Sequence, residues 1–370
     1  LNRVDSLGRL LDALSNKVEL SSVNGKKIAG IVGDAPSHYA KSPSLWNAAF
    51  AAFGMDAVYL PFDVGADRLA DFAQALKDCE SLMGVNVTVP YKVRMLDYLD
   101  TVDAEAARIK AVNTVVRTRD GKLVGYNTDG AGFVESVLTT TPGREKPFMD
   151  SLTGVNALII GAGGSARAVG FHAAKLLGTG RLFLCNRNLL AAQALADEIN
   201  SEFRNSRAIP ENEIGDYVPL AGLIVNCSTK GQGGIRQTAD GKCTILEPYS
   251  SLAPANPIAL AAPSTDTLAF YREWLRGSVA DVEANQRASF KLALAAPPTT
   301  RFCDLIYHPE ETVLLQHARL SGHQTLNGKG MVIAQAALSF HEICAPYLLE
   351  RGISIGEKRT FLLESMYQAW

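Results

Sequence analysis

The sequence predicts an α/β protein: an N-terminal open α/β domain followed by a Rossmann-type, doubly wound domain. Short apolar runs alternate with segments of helical periodicity in two successive series. A glycine loop joins strand to helix at the start of the second series. The length, 370 residues, suits two or three domains of about 150 residues. The expected division is 1–130, completed by closing helices over 331–370, and 131–330, with an insertion at about 233–300.

The opening stretch, Leu7 to about Leu20, has the spacing of an amphipathic helix. Lys27–Gly33, Ala57–Phe62 and Met83–Val89 are apolar runs of strand length. Between the last two, Leu69, Phe72, Ala73 and Leu76 recur at helical spacing. Strands and helices alternating in this way imply right-handed crossovers and a parallel sheet. Val112–Val116 and Leu123–Tyr126 flank Arg119-Asp120-Gly121 and predict a hairpin with a glycine in its turn. Residues 140–150, with Pro142, Gly143 and Pro147, read as a linker.

The second series runs from strand Val155–Ile160 through the glycine loop and a helix to about Leu177. Strand Arg181–Cys185, helix Leu190–Ile199 and the apolar run Leu220–Cys227 follow. Prolines from Pro248 to Pro263, and Pro297-Pro298, bracket helical periodicity over Thr267–Leu294, so 233–300 reads as an insertion between core elements. Lys329–Phe340 and Glu357–Tyr367 close the chain as helices.

A net charge of −2 without a dense Lys/Arg run argues against nucleic acid or an anionic membrane as partner. Six cysteines with no Cys-x-x-Cys pair read as small buried hydrophobes in a reducing compartment. The histidines lack metal-ligand spacing, so no metal site is expected. The first thirty residues carry no signal-peptide pattern, and no apolar run reaches membrane-spanning length. A cytoplasmic protein, monomeric or homodimeric, acting on a small molecule is the expectation.

Chemistry concentrates at strand ends. Gly161-Ala162-Gly163-Gly164-Ser165-Ala166 follows a strand and opens a helix. Glycines there let backbone N–H groups approach a pyrophosphate, and the helix N-terminus adds partial positive charge. An acidic residue at the end of the next strand would select NAD through the ribose hydroxyl. This chain has Asn186-Arg187 instead, and a guanidinium suits the 2′-phosphate of NADP. In the first series, Asn86 and Thr88 alternate with Val87 and Val89, which directs the polar pair to one face. Asn113-Thr114 and Asn127-Thr128-Asp129-Gly130 add polar groups in similar strand-end or turn contexts, although Asn127 and Asp129 are also ordinary turn formers.

These residues resemble the shikimate/quinate dehydrogenases. The matching motifs are Lys41-Ser42-Pro43 with Asn47, Asn86–Lys92, Ala111–Val115, Gly125–Gly130, Gly161–Ala166, Asn186-Arg187, Asp304–Pro309 and Gly328–Gln335. They stand in the family's order over most of the chain. The resemblance implies a substrate domain and a cofactor domain, and a catalytic pair, Lys92 and Asp129. Lys92 would exchange the proton while hydride moves between nicotinamide and substrate. Ser42, Asn86, Thr88, Asn113, Tyr307 and Gln335 would bind the substrate. Gly161 to Ala166, Asn186, Arg187, Asn226 and Gly328 would serve NADP, with NAD as the other candidate.

Two departures qualify the resemblance. Many relatives flank the position of Lys41 with two hydroxyl residues that contact the substrate carboxylate; here the first is Ala40, preceded by Tyr39. That points to a changed ligand or to Tyr39 as replacement. A second usual arginine, four residues beyond Arg187, is Ala191. The implied reaction is NADP-dependent interconversion of a 3-dehydroshikimate-like ketone and its alcohol. An NAD-dependent quinate or other cyclitol-acid dehydrogenase is one alternative, and a non-catalytic ligand-sensing module on the same fold is another.

Overall fold

A computed structural model describes residues 3–19, 23, 25–238, 240–263 and 266–370. The chain forms two compact units, Leu1–Pro147 with Gly330–Trp370, and Phe148–Lys329. The first junction therefore falls after Pro147 rather than at residue 130. The helix that begins at Asp129 buries Phe133 and Val137, and an Arg359–Glu135 ion pair ties it to the chain's closing segment.

The first unit opens with α1 (Arg3–Asp12). This helix ends well before Leu20, which lies outside the described residues. Ser15 and Asn16 turn the chain onto a neighbouring strand instead. The Ser15 hydroxyl donates to the Asp63 carbonyl at 3.0 Å, and the Asn16 amide donates to the Pro61 carbonyl at 3.0 Å and accepts from the Asp63 N–H at 2.8 Å. Short polar side chains engaged in this way compete with helix continuation.

Strands β1 (Lys27–Gly33), β2 (Ala57–Asp63), β3 (Leu82–Val87), β4 (Thr101–Val102), β5 (Thr114–Arg117) and β6 (Leu123–Tyr126) form one sheet in the order β2-β1-β3-β5-β6-β4. β1 runs parallel to β2 and β3, while the hairpin β5–β6 packs β5 antiparallel to β3. Gly121, at φ 84°, makes the hairpin turn. β3 stops two residues before Val89. The Thr88 N–H bonds the Val32 carbonyl at 2.9 Å, only a long 3.5 Å bond from the Asp34 N–H to the Val89 carbonyl follows it, and Pro90 has no N–H to offer.

Period-two alternation divides the side chains. Ile28 and Val32 face a core with Phe72 and Leu76 of α3 (Leu69–Asp78), whereas Ala29 and Ile31 face Trp46 and Phe50 of α2 (Ser42–Ala52). α4 (Ala104–Ile109) and α5 (Asp129–Leu138) complete this series.

The second unit has a six-stranded parallel sheet in the order β14-β13-β10-β7-β8-β9. Its strands are β7 (Ala157–Ile160), β8 (Leu182–Asn186), β9 (Ser206–Pro210), β10 (Leu223–Asn226), β13 (Arg301–Asp304) and β14 (Thr325–Leu326). Helices α6 (Gly164–Leu177), α7 (Leu189–Asn200) and α8 (Ile214–Tyr217) belong to its first part. The insertion holds a small hairpin, β11 (Ile235–Gln237) and β12 (Cys243–Ile245), and the 29-residue helix α9 (Thr267–Ala295). α10 (Val313–Leu320) follows β13. The sequence reading did not anticipate β9, the insertion hairpin or α10; β9, for example, is a half-exposed edge strand without a continuous apolar run.

The chain then closes with α11 (Lys329–Leu349) and α12 (Arg359–Gln368). Contrary to the expectation from the sequence, α11 is long and apolar enough to cross a membrane by length and composition. Its Ile333, Phe340, Ile343 and Cys344 are buried in the core of the first unit, against Trp46 and Met83. Five of the six cysteines are buried, Cys227 is half-buried and all six are free thiols; burial pushes Cys185 up to about 12. Among the described residues no His, Cys, Asp and Glu side chains cluster as metal ligands.

Candidate active site

Within the first unit, β3 presents Asn86, and the loop after it presents Thr88 and Lys92. Asn113 stands just before β5, Asp129 opens α5, and Gln335 lies on the second turn of α11. Lys92 Nζ and Asp129 Oδ2 are 2.5 Å apart, with side chains only 16% and 6% exposed. The Asn113 amide nitrogen lies 2.8 Å from Asp129 Oδ1, 2.9 Å from Thr128 Oγ1 and 3.2 Å from Gln335 Oε1. Each Asp129 oxygen thus has its own donor. Asn113 Oδ1 accepts the Thr128 N–H at 2.8 Å, which fixes the orientation of that side-chain amide.

Behind this layer sits a second. Asn86 donates to the backbone carbonyl of Asn113 and to Thr114 Oγ1, both at 3.2 Å, and accepts the Tyr59 hydroxyl at 2.7 Å. Burial pushes the Tyr59 phenol well above its usual range, so it stays a neutral donor, and Ser42 neighbours the same hydroxyl. Ser339 stands 2.6 Å from Thr114 Oγ1 and 3.0 Å from Thr128 Oγ1. A hydrogen-bonded chain therefore runs from Tyr59 through Asn86 and Asn113 to Asp129 and Lys92. Buried networks with every member satisfied hold one geometry.

Of the residues singled out from the sequence, this unit brings together Lys92, Asp129, Asn113, Gln335 and Asn86, with Ser42 neighbouring Tyr59 behind them. Sequence reasoning missed Tyr59 and Ser339. A phenol inside a buried strand run needs a partner, and Ser339 lies four residues after Gln335 on the same helical face; both were available signals. Thr88 sits at the edge. A Cβ at Gly33 would lie 2.6 Å from Thr88 Cγ2 and 3.2 Å from the Tyr39 hydroxyl, so the glycine admits both side chains to one corner. The Tyr39 hydroxyl is 3.4 Å from Asp34 Oδ1.

In the second unit, the loop Gly161–Gly163 leads from β7 into α6. Gly161 has φ 122°, and a Cβ there would come within 3.0 Å of the Cys227 backbone. Gly163 is different: a Cβ on it would meet nothing within 4 Å, and no side chain caps the helix that begins at Gly164. Gly164, Ser165 and Ala166 open a 14-residue helix, whose first-turn N–H groups are the kind of donors a phosphate uses. The residues fit a dinucleotide.

Asn186 ends β8 and donates to the Asn188 carbonyl at 3.0 Å, and Arg187 beside it is exposed. Asn226 is wholly buried. It donates to Asp304 Oδ1 and the Lys230 carbonyl and accepts from Ser228, so its side chain shapes the loop after β10. Burial pushes Asp304 up to about 7, against bonds from Asn226, Thr312 and the Ile306 N–H. A Cβ at Gly328 would lie 2.0 Å from the Leu305 carbonyl oxygen, so this glycine permits a backbone crossing. Tyr307, also in this unit, has its phenol pushed up by burial.

Comparison with known proteins bears on this arrangement. The family model described as the shikimate dehydrogenase substrate binding domain matches residues 31–115. The shikimate dehydrogenase (NADP(+)) of Shouchella clausii is 34% identical over 312 residues, which cover 84% of this chain and 90% of that protein. Among solved structures, shikimate 5-dehydrogenase from Listeria monocytogenes, in complex with shikimate and NAD, is similar at a TM-score of 0.64 and 26% identity, covering 91% of this chain and 100% of that one. The Thermus thermophilus enzyme, in complex with NADP(H) and shikimate, gives a TM-score of 0.61 at 25% identity, with 93% and 100% coverage.

Proposed function

The chain belongs to the shikimate dehydrogenase family, and we propose that it interconverts a 3-dehydroshikimate-like ketone and its alcohol, with NADP as hydride carrier, in a reducing, cytoplasmic setting. The observation that carries this reading is the largely buried Lys92–Asp129 pair fixed by Asn113. Bound nicotinamide supplies or accepts the hydride. Lys92 does the proton work: its ammonium gives a proton to the forming alkoxide in reduction, and the neutral amine takes one from the alcohol in oxidation. Asp129 holds that ammonium in place and accepts from a neighbouring ring hydroxyl. Asn113 and Gln335 bind the remaining hydroxyls, and Ser42, Thr88 and Tyr307 the rest of the ligand. Asn86, saturated by its own partners, acts by orienting Asn113. Turnover of a panel of cyclitol acids with NADP and with NAD tests this. Shikimate with NADP should be the best pair, whereas absence of turnover with every pair would leave a ligand-sensing module.

The cofactor assignment rests on the open glycine loop and on Arg187, which has no carboxylate partner among the described residues. Arg187→Ala should raise the KM for NADP by about tenfold or more and leave that for NAD nearly unchanged, because only NADP carries the 2′-phosphate. Equal effects on the two cofactors would make Arg187 a solvated surface residue. Asn226 and Gly328 would serve the cofactor by shaping the loops they hold.

Ala40 cannot donate to a carboxylate. The Tyr39 hydroxyl shares the Gly33 corner with Thr88, which supports Tyr39 as its replacement. Tyr39→Phe should then lower kcat/KM for shikimate by about tenfold, equivalent to ~1.4 kcal/mol of lost hydrogen bonding. Ala40→Ser in that background should recover most of it. If Tyr39→Phe leaves shikimate turnover flat, the pocket serves a different acid.

A further inference from the structure

Asn47 stands on α2, and its side chain is engaged with the backbone of Tyr59 on β2. Asn47 Oδ1 accepts the Tyr59 N–H at 2.9 Å, and the Asn47 amide donates to the Tyr59 carbonyl at 3.0 Å. The Tyr59 ring stacks on Trp46, the preceding residue of the same helix, with centroids 4.7 Å apart and planes at 26°. Backbone and ring are thus both held from α2. At 1% exposure the residue touches no substrate. Its hydroxyl reaches instead across β1 to Asn86 on β3, a span of two strand spacings, about 9.5 Å.

The sense of the bond between Tyr59 and Asn86 is forced. Asn86 Nδ2 lies 3.2 Å from the backbone carbonyl of Asn113, which can only accept, so Asn86 Oδ1 faces the phenol and the phenol donates. The same nitrogen donates to Thr114 Oγ1, which stands 3.0 Å from Asn113 Oδ1, and the Asn113 amide donates to Asp129 Oδ1 at 2.8 Å. Without the phenol, Asn86 Oδ1 is buried and lacks this donor. Turning the amide over would set its oxygen against the Asn113 carbonyl. Neither arrangement is satisfied, so Asn86 must shift, and Thr114 and Asn113 with it. We infer that Tyr59 is a positioning residue for the reaction: held by Asn47 and Trp46, its hydroxyl fixes Asn86, and through Asn86 the Asn113 amide that holds Asp129 against Lys92. This role rests on the dehydrogenase reading of the Lys92–Asp129 pair.

Tyr59→Phe in the full chain keeps the ring on Trp46 and removes the hydroxyl alone. It should lower kcat for shikimate oxidation by about tenfold and leave the KM for NADP unchanged, since the glycine loop belongs to the other unit. In an Asn86→Ala background the same substitution should cost less than about twofold, because the hydroxyl then has nothing to fix. A tyrosine that only supported the core would cost the same factor in both backgrounds. A second readout needs no turnover. The side-chain NH₂ signals of Asn113 in a nitrogen-correlated NMR spectrum, assigned by their loss in Asn113→Asp, should exchange with solvent about tenfold faster in Tyr59→Phe than in the unaltered chain. Unchanged kcat in Tyr59→Phe, an equal loss in the two backgrounds, or Asn113 exchange at the original rate would overturn the role. Faster exchange in a chain that turns over no cyclitol acid would instead remove the dehydrogenase reading and leave the link from Tyr59 to Asn113 standing.

Discussion

Lys92→Met should lower kcat by at least about 10²-fold while cofactor binding, followed by fluorescence titration, stays intact. The methionine fills the lysine's volume but neither donates nor accepts a proton. It also removes the cation that faces Asp129 Oδ2 at 2.5 Å. Asp129→Asn should cost a similar factor for a different reason. Asp129 receives Lys92 on one oxygen and the Asn113 amide on the other. An asparagine has one acceptor oxygen, so its NH₂ must face either the ammonium or the Asn113 NH₂, donor against donor. The site can keep its lysine or its amide oriented, not both. Because the two residues act as one unit, the double variant should be little worse than the poorer single one. Near-normal turnover in Lys92→Met would remove the proton-transfer role, and fully additive losses would show that the pair acts as two independent groups.

What the sequence disclosed about this site was the chemistry at strand ends. Lys92 and Asp129 are far apart in the chain, yet each follows a recognisable strand, and the parallel arrangement brings strand ends together. Local signals also located the glycine loop and the Gly121 hairpin, because a tight turn leaves its mark within a few residues. Long-range pairings were not legible. Helical periodicity continued past Asp12, but Ser15 and Asn16 find their partners on β2, more than forty residues away, and the helix gives way to that contact. Asn86 read as a ligand-facing residue because it alternates with valines. Its side chain is instead saturated by Tyr59, Asn113 and Thr114, contacts that only the sheet register creates. Ser339 joins the network across 225 residues of chain, and Gly132, an ordinary helical glycine in the sequence, turns out to mark the point where two helices touch.

That contact yields the largest expected effect on stability. Gly132 lies on α5, and a Cβ there would stand 2.7 Å from both Cβ and N of Gln335 and 2.9 Å from its Cα. Two of the three obstructing atoms are backbone, so no rotamer change relieves the clash; α11 must move away from α5. Four hydrogen-bonded pairs separate when it does. Thr128 Oγ1 donates to the Gln335 carbonyl at 3.1 Å, Asn113 donates to Gln335 Oε1 at 3.2 Å, and Ser339 meets Thr128 and Thr114. Gly132→Ala gains about 1 kcal/mol of helix propensity. Overpacking costs about 1–3 kcal/mol, and each buried polar group left without its partner costs a similar amount. The net should be a loss of about 2–4 kcal/mol, seen as a lower melting temperature by circular dichroism. The KM for shikimate should rise in the same variant, because Gln335 no longer holds its place beside Asn113. Gly330→Ala is the matched control on α11: its Cβ would lie 3.4 Å from Ser136 Cβ, an ordinary contact, and both readouts should stay close to those of the unaltered chain. If Gly132→Ala melts and turns over like Gly330→Ala, the crossing of α5 and α11 does not set the position of Gln335.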